Sequence, residues 1–314
     1  MRLVDIDDVR AAAERISGRV VRTPLLPCPW ADGELWLKPE SLQPTGAFKL
    51  RGATNALALL PAEARAAGVV THSSGNHGQA LAYAARAAGV PCVVVTPEGA
   101  PEVKIEAMRR FGAELVTVPA REREEAAARV VAERGMVLVP PFDHRDVIAG
   151  QGTVGLEIAA DLADVAVLLV PVGGGGLASG VTAAVSALSP RTRVIGVEPE
   201  LAGDAAESIA AGRRIWWPPD RTRRTMADGL RVSLSDLTFA HLSARLDGVV
   251  TVTEDEIRSA MGRLAREARL VAEPSGAVAA AAYLAGRTPP GRTVAVVSGG
   301  NVDPEVLART VRSA

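Results

Sequence analysis

One lysine in this chain stands in an unusual setting. Lys49 follows the turn Pro44-Thr45-Gly46, sits beside Phe48 and opens a segment whose Ala53, Ala56, Leu57 and Leu60 recur with helical spacing. A lysine held at a helix start against an aromatic ring is partly withdrawn from water. That lowers its pKa, and a neutral amine is the form that condenses with an aldehyde. On this window alone, a solvated surface lysine is the commoner reading.

Three further stretches shift the balance, each following an apolar, strand-like run. Gly173-Gly174-Gly175-Gly176 lies between a valine-rich strand and a helix, where bare backbone N–H groups at a positive helix end make a phosphate cradle. No Lys-Ser/Thr follows it, which disfavours a nucleotide P-loop, and Ala178 stands where a dinucleotide fingerprint needs its last glycine. Its plainer alternative is a tight strand-to-helix crossing. Ser73-Ser74-Gly75-Asn76-His77 also joins strand to helix, where hydroxyls and helix-end amides suit a carboxylate and Asn76 suits a ring hydroxyl. Its alternative is a helix cap with an incidental histidine. Ser298, before Gly299-Gly300-Asn301, could meet a ring nitrogen or simply end a strand. Glu198 and Asp204 could ligate a hard cation with intervening carbonyls, although a lone carboxylate pair is more often a solvated loop.

The elements that must position these groups alternate strand and helix. Val69–Thr71, Cys92–Thr96, Leu115–Val118 and Val137–Val139 read as one series of strands, and Ala166–Val170, Val194–Val197 and Thr293–Val297 as another, with helical patterns between. Residues 5–17 read as an amphipathic helix, and Thr253-Glu254-Asp255-Glu256 is a capping box opening another. Such alternation predicts α/β architecture: two parallel-sheet lobes with helices on both faces, and ligands at the carboxyl ends of the strands. The expected partition is a larger domain of residues 1–58 and 142–314 with a smaller one, 68–141, inserted.

Composition narrows the function. At 314 residues and 48% hydrophobic content the chain can bury a large core, and with 3% aromatics that core must be aliphatic. A net charge of −1 argues against a nucleic-acid or anionic-membrane surface, so a small-molecule substrate is expected. Cys28 and Cys92, far apart, suggest reduced thiols in a cytoplasmic protein. Met1 to Arg10 lacks the basic and apolar regions of a signal peptide, and the longest clean apolar run, Val165 to Val172, is too short to span a bilayer. The run Arg121 to Glu125 reads as a solvated helix face, and Trp216-Trp217 as a packed flap or subunit contact.

Taken in this order, the Lys49, Ser73–Gly78, Gly173–Gly176 and Ser298–Asn301 stretches resemble the fold-type II pyridoxal-phosphate enzymes, specifically the serine/threonine dehydratase and serine racemase family. The likeness extends to Val147–Thr153, Ala227-Asp228-Gly229 and Glu273–Gly276 and ends just beyond Asn301, so the regulatory domain of biosynthetic threonine dehydratases is expected to be absent. The resemblance implies pyridoxal 5'-phosphate as cofactor: Lys49 forming the Schiff base, Phe48 flanking the ring, Asn76 on the ring hydroxyl, Gly173, Gly174, Gly175 and Gly176 on the phosphate, and Ser298 on the pyridine nitrogen. It implies that Ser73, Ser74, Asn76 and His77 grip the substrate carboxylate. Glu198, the Ala202 carbonyl and Asp204 would hold a divalent cation, magnesium or calcium, and the assembly would be a homodimer.

The expected activity is conversion of L-threonine or L-serine to 2-oxobutanoate or pyruvate plus ammonia. Alternatives are a serine or aspartate racemase, a 3-hydroxyaspartate dehydratase, or a protein that binds a small ligand in the same cleft without chemistry. Ser74 keeps racemisation open, because related racemases use a serine there as the acid opposite the lysine, whereas many dehydratases carry alanine. Pro141-Phe142-Asp143 resembles the dehydratase version of its loop.

Overall fold

The computed structural model describes residues 2–313 apart from Ser74 and Pro101, together with all their side chains except those of Val103 and Ser313. The described residues form ten strands, most of them valine-rich: β1 (Leu26–Pro27), β2 (Leu35–Pro39), β3 (Val69–His72), β4 (Cys92–Pro97), β5 (Glu114–Val118), β6 (Val137–Leu138), β7 (Val167–Pro171), β8 (Arg193–Pro199), β9 (Gly248–Val252) and β10 (Thr293–Val297). They make two sheets. The smaller runs β5-β4-β3-β6 and the larger β1-β2-β10-β7-β8-β9. Every pairing is parallel except β1 with β2, and the centre of the larger sheet is set by Ala295 opposite both Leu37 and Leu169. Because β4, β7 and β10 are apolar along almost their whole length, both faces of each sheet must be covered, which fixes the α/β class.

The core is aliphatic, as the composition requires. Val170, Val194 and Val296 pack with Leu177 and Val181 on one face of the larger sheet, and an alanine-rich helix, Pro274–Leu284, covers the other. One aromatic edge contact is present among the described residues, Tyr83 against Phe111 with ring centroids 5.3 Å apart. The expected capping box is made, with Thr253 and Glu256 bonding each other's backbone N–H. Edge strand β9 and the helices Asp204–Ala211 and Asp236–Arg245 were absent from the sequence expectation.

Two features fix the helix Lys49–Ala58. Its Leu50, Ala53, Ala56 and Leu57 join the core of the smaller sheet, while its other side meets the helix Arg145–Asp161 almost backbone to backbone. A methyl group added to Gly150 would lie 2.6 Å from Gly52 Cα and 2.7 Å from the Arg51 carbonyl. On Gly180, in the next helix Gly176–Leu188, it would run into the Ile148 carbonyl.

Behind that seam lies a buried ionic network. Arg51 Nε donates to Glu40 at 2.7 Å and its Nη1 to Glu157 at 2.6 Å, while Lys38 Nζ donates to Glu157 and to the Thr23 carbonyl, each at 2.6 Å. Two cations and two carboxylates, all buried, thus neutralise one another where either sign alone would be prohibitive. No helix among the described residues is long and apolar enough to cross a membrane.

Candidate active site

The carboxyl ends of β3, β7 and β10 face a cavity of about 530 Å³ whose walls come from both sheets. Lys49 reaches it from the first turn of its helix. That turn is tied to the end of β10: Phe48 N donates to the Ser298 carbonyl at 3.0 Å and Gly300 N to the Gly46 carbonyl at 2.8 Å. Gly46 has a φ of +71°, and a side chain there would collide with Asn301. Lys49 Nζ donates to the Pro141 carbonyl at 2.6 Å and lies 5.1 Å from the centroid of the Phe48 ring. With no carboxylate to stabilise an ammonium, burial lowers its pKa from 10.5 to about 8.

Opposite the amine is the glycine loop. The helix Gly176–Leu188 begins at Gly175, whose φ is +84°, with no side chain capping its first N–H groups. Bareness is required at all four positions. A methyl on Gly173 would meet Leu230, on Gly174 the Phe142 ring at 2.5 Å, on Gly175 Leu234, and on Gly176 Phe142 again. What faces the cavity is therefore backbone, at the positive end of a helix dipole, which suits a phosphate.

The helix Asn76–Ala88 is a second uncapped start on the same cavity. Ser73 Oγ accepts from Gly75 N at 3.2 Å, and Ser74 lies outside the described residues. His77 is buried, its Nε2 lies 2.9 Å from the Val139 carbonyl, and burial presses its pKa to about 3. A carbonyl only accepts, so Nε2 carries the proton and the ring is neutral. A carboxylate here would be held by the helix amides and not by a charged imidazole. Ser298, at the end of β10, donates weakly to the Ser275 carbonyl at 3.4 Å, leaving its hydroxyl free to turn toward a ligand.

The remaining expected residues lie elsewhere. Glu198, at the end of β8, accepts from Ala205 N and Ala206 N at 3.1 and 2.7 Å, while Asp204 Oδ2 has no partner. With Ala202 they are buried and outside the cavity lining. Burial first, then each other's proximity for Glu198, raises both carboxyl pKa values. An orphaned carboxylate oxygen beside a raised neighbour fits an oxygen-liganded cation. Among the described residues no group of three or more His, Cys, Asp or Glu is arranged for a metal, so any such site depends on the Ala202 carbonyl and water.

Of the run Arg121 to Glu125, Arg121, Glu124 and Glu125 are exposed as expected, while half-buried Arg123 and the exposed Glu124 also border the cavity. Of the tryptophan pair, Trp216 is 63% exposed, whereas Trp217 packs under Arg221 and donates to Glu207. Glu273 and the Lys104–Asp228 ion pair, at 2.6 Å, also line the cavity. Asp228 and Glu273 lie in stretches that carry the family resemblance, but no role was read for their side chains, and Lys104 stands in no marked stretch.

The sequence model of a family described as pyridoxal-phosphate dependent enzyme matches residues 16–299. The chain belongs to that family. A serine racemase of Arabidopsis thaliana is 42% identical to the enzyme over 95% of this chain and 93% of its own. An L-threonine ammonia-lyase of Thermotoga maritima is also 42% identical, over 98% of this chain and 78% of its own. The solved structure of maize serine racemase superposes with a TM-score of 0.94 at 38% identity, covering 99% of this chain and 98% of the other. The fold is therefore fold-type II, and pyridoxal phosphate is the family's cofactor. Identity does not separate the two activities, since racemase and lyase are equally similar.

Proposed function

We propose that this enzyme is a threonine/serine dehydratase, releasing 2-oxobutanoate or pyruvate and ammonia. The observation that carries the reading is Lys49: an amine buried in a cavity, with a pKa lowered to about 8, in the same cavity as a glycine loop whose bare backbone N–H groups suit an anion. When bound, pyridoxal phosphate supplies an aldehyde for attachment and a ring that accepts the electrons of a broken C–H bond. The chain's own residues do the rest. Gly173–Gly176 present amides to the phosphate, Asn76 an amide to the ring hydroxyl, and Ser298 a hydroxyl to the ring nitrogen. A hydroxyl there, unlike a carboxylate, does not force that nitrogen to stay protonated. The amides of Ser73–His77 would hold the substrate carboxylate, and Lys49 Nζ, which burial lets part with its proton more readily than an ordinary lysine, would take the α-proton.

Phe142, stacked on Gly174 and Gly176 where it closes one wall, supports the dehydratase reading, because Pro141-Phe142-Asp143 has the form seen in dehydratases. Racemisation is the second reading, favoured by Ser74 and by the racemase relatives. A further part of the proposal is a cation held by Glu198, the Ala202 carbonyl and Asp204. The larger domain of residues 1–58 and 142–314, the inserted domain 68–141, a cytoplasmic setting and a homodimer belong to the same proposal. Purified enzyme with L-threonine should yield 2-oxobutanoate and ammonia in equal amounts. Interconversion of serine enantiomers without any 2-oxo acid would replace this reading by racemase. Borohydride labelling at any residue but Lys49 would end both.

A further inference from the structure

Among the described residues lining the cavity, Glu273 is the one buried carboxylate, 2% exposed, and none of the roles above uses it. Its backbone is fastened to the turn after β10, Glu273 N donating to the Gly299 carbonyl at 3.0 Å. A side chain on Gly299 would strike the carboxylate, so that glycine leaves it room. Across the cavity Glu273 Oε1 accepts from Asn76 Nδ2, which comes from the other sheet's first helix. Asn76 Oδ1 in turn accepts from Asn301 Nδ2 at 2.8 Å, and the same Asn301 amide donates to the Thr45 carbonyl at 2.8 Å, in the turn before Lys49.

This arrangement permits one orientation of the Asn76 carboxamide. Flipped, it would set its oxygen against the Glu273 carboxyl and its N–H groups against those of Asn301, losing two hydrogen bonds and opposing like partners. Held as it is, the amide uses one N–H on Glu273 and keeps the other for a ligand. Two charged groups act on Glu273 among the described residues: Asp228 opposes its anion, and Lys104, from the helix beside the smaller sheet, favours it. Burial outweighs both and raises the Glu273 carboxyl to about 7.

We propose that Glu273 is a positioning residue of the reaction: its carboxyl group locks the Asn76 amide so that the spare N–H meets the cofactor's ring hydroxyl, and its ionisation tunes that contact. The proposal rests on reading the cavity as the pyridoxal phosphate site. Above neutral pH a carboxylate accepts strongly from the amide and places negative charge near the ring oxygen; below it, the neutral acid accepts more weakly and itself carries an O–H donor. The colour of the bound cofactor should follow this change.

The experiment compares wild-type holoenzyme with Glu273→Gln, Glu273→Ala and Asn76→Ala, recording the absorption spectrum against pH, kcat and KM separately, and thermal unfolding. Glutamine keeps an acceptor for Asn76, so Glu273→Gln should stay within about twofold of wild type below neutral pH while losing the spectral step near neutrality. Glu273→Ala should lower kcat about tenfold with little change in KM, and adding it to Asn76→Ala should cost nothing more. A spectral step that persists in Glu273→Gln, or effects of Glu273→Ala and Asn76→Ala that multiply, would overturn the proposal. A wild-type protein with no visible cofactor band would instead overturn the underlying reading, so the two failures are distinguishable. Should Glu273→Ala not fold, the glutamine variant and Asn76→Ala still decide the spectral outcome.

Discussion

Replacing Lys49 by methionine should stabilise the cofactor-free protein, although it removes the residue on which activity rests. The amine's pKa falls from 10.5 to about 8 on folding because its ammonium form is buried without a counter-ion. That gap corresponds to about 3 kcal/mol opposing folding, a ceiling, since water in the cavity softens it. The sign follows from which form is penalised. Below about pH 8 the folded protein must either bury the cation or give up its proton, so the whole penalty applies; it fades as pH rises and is gone above 10.5, where the unfolded lysine is neutral too. Methionine keeps the aliphatic stem and forfeits the bond to the Pro141 carbonyl, worth about 1 kcal/mol. The variant should therefore be about 2 kcal/mol more stable near pH 7, with the advantage shrinking below about 1 kcal/mol near pH 9.5. Urea unfolding of the cofactor-free proteins across that range, at matched slopes, reads it directly. A methionine variant less stable near neutrality, or a difference flat with pH, would refute the claim that burial is what makes this amine a base.

Removing Glu157 by a change to leucine should cost about 3 to 5 kcal/mol, because Lys38 and Arg51 are left sharing Glu40 alone in a buried site, and changing Lys38 to methionine as well should restore much of it. Unfolding midpoints in urea of the single and double variants check this. Magnesium or calcium should raise the melting temperature of the wild type and not of Asp204→Asn. Glu198 and Asp204 both hold protons more tightly than usual, so cation and proton compete and the gain should be larger near pH 8 than near pH 6.

Much of this was legible in the sequence. Apolar runs such as Cys92–Thr96 and Thr293–Val297 became central strands because parallel strands buried on both faces need no polar alternation. The glycines and the lysine were legible because each sits at a strand-to-helix junction, where local chemistry dictates local geometry. Lys104 and Arg123 were not, because nothing in their own windows distinguishes them from surface charges, and the Glu273–Gly276 stretch carried a family likeness without a role for its carboxylate. The same holds for Lys38 and Arg51: a rule that places ionic side chains at the surface has no way to foresee a neutral quartet sealed inside. Edge strand β9, only partly buried, carried too weak a pattern to stand out.

The near contact of Gly52 with Gly150, and of Gly180 with Ile148 and Gly152, joins three helices into a single block, one bearing the amine and another the anion loop. The distance between those two ends of the cofactor is thereby a property of a rigid body. Leu50, Ala53, Ala56 and Leu57 also tie this block into the core of the smaller sheet, whereas Asn76 stands on the helix that follows β3. Widening this glycine seam should disturb cofactor retention, whereas changes around Asn76 should disturb turnover, so the two would be separable traits under mutation.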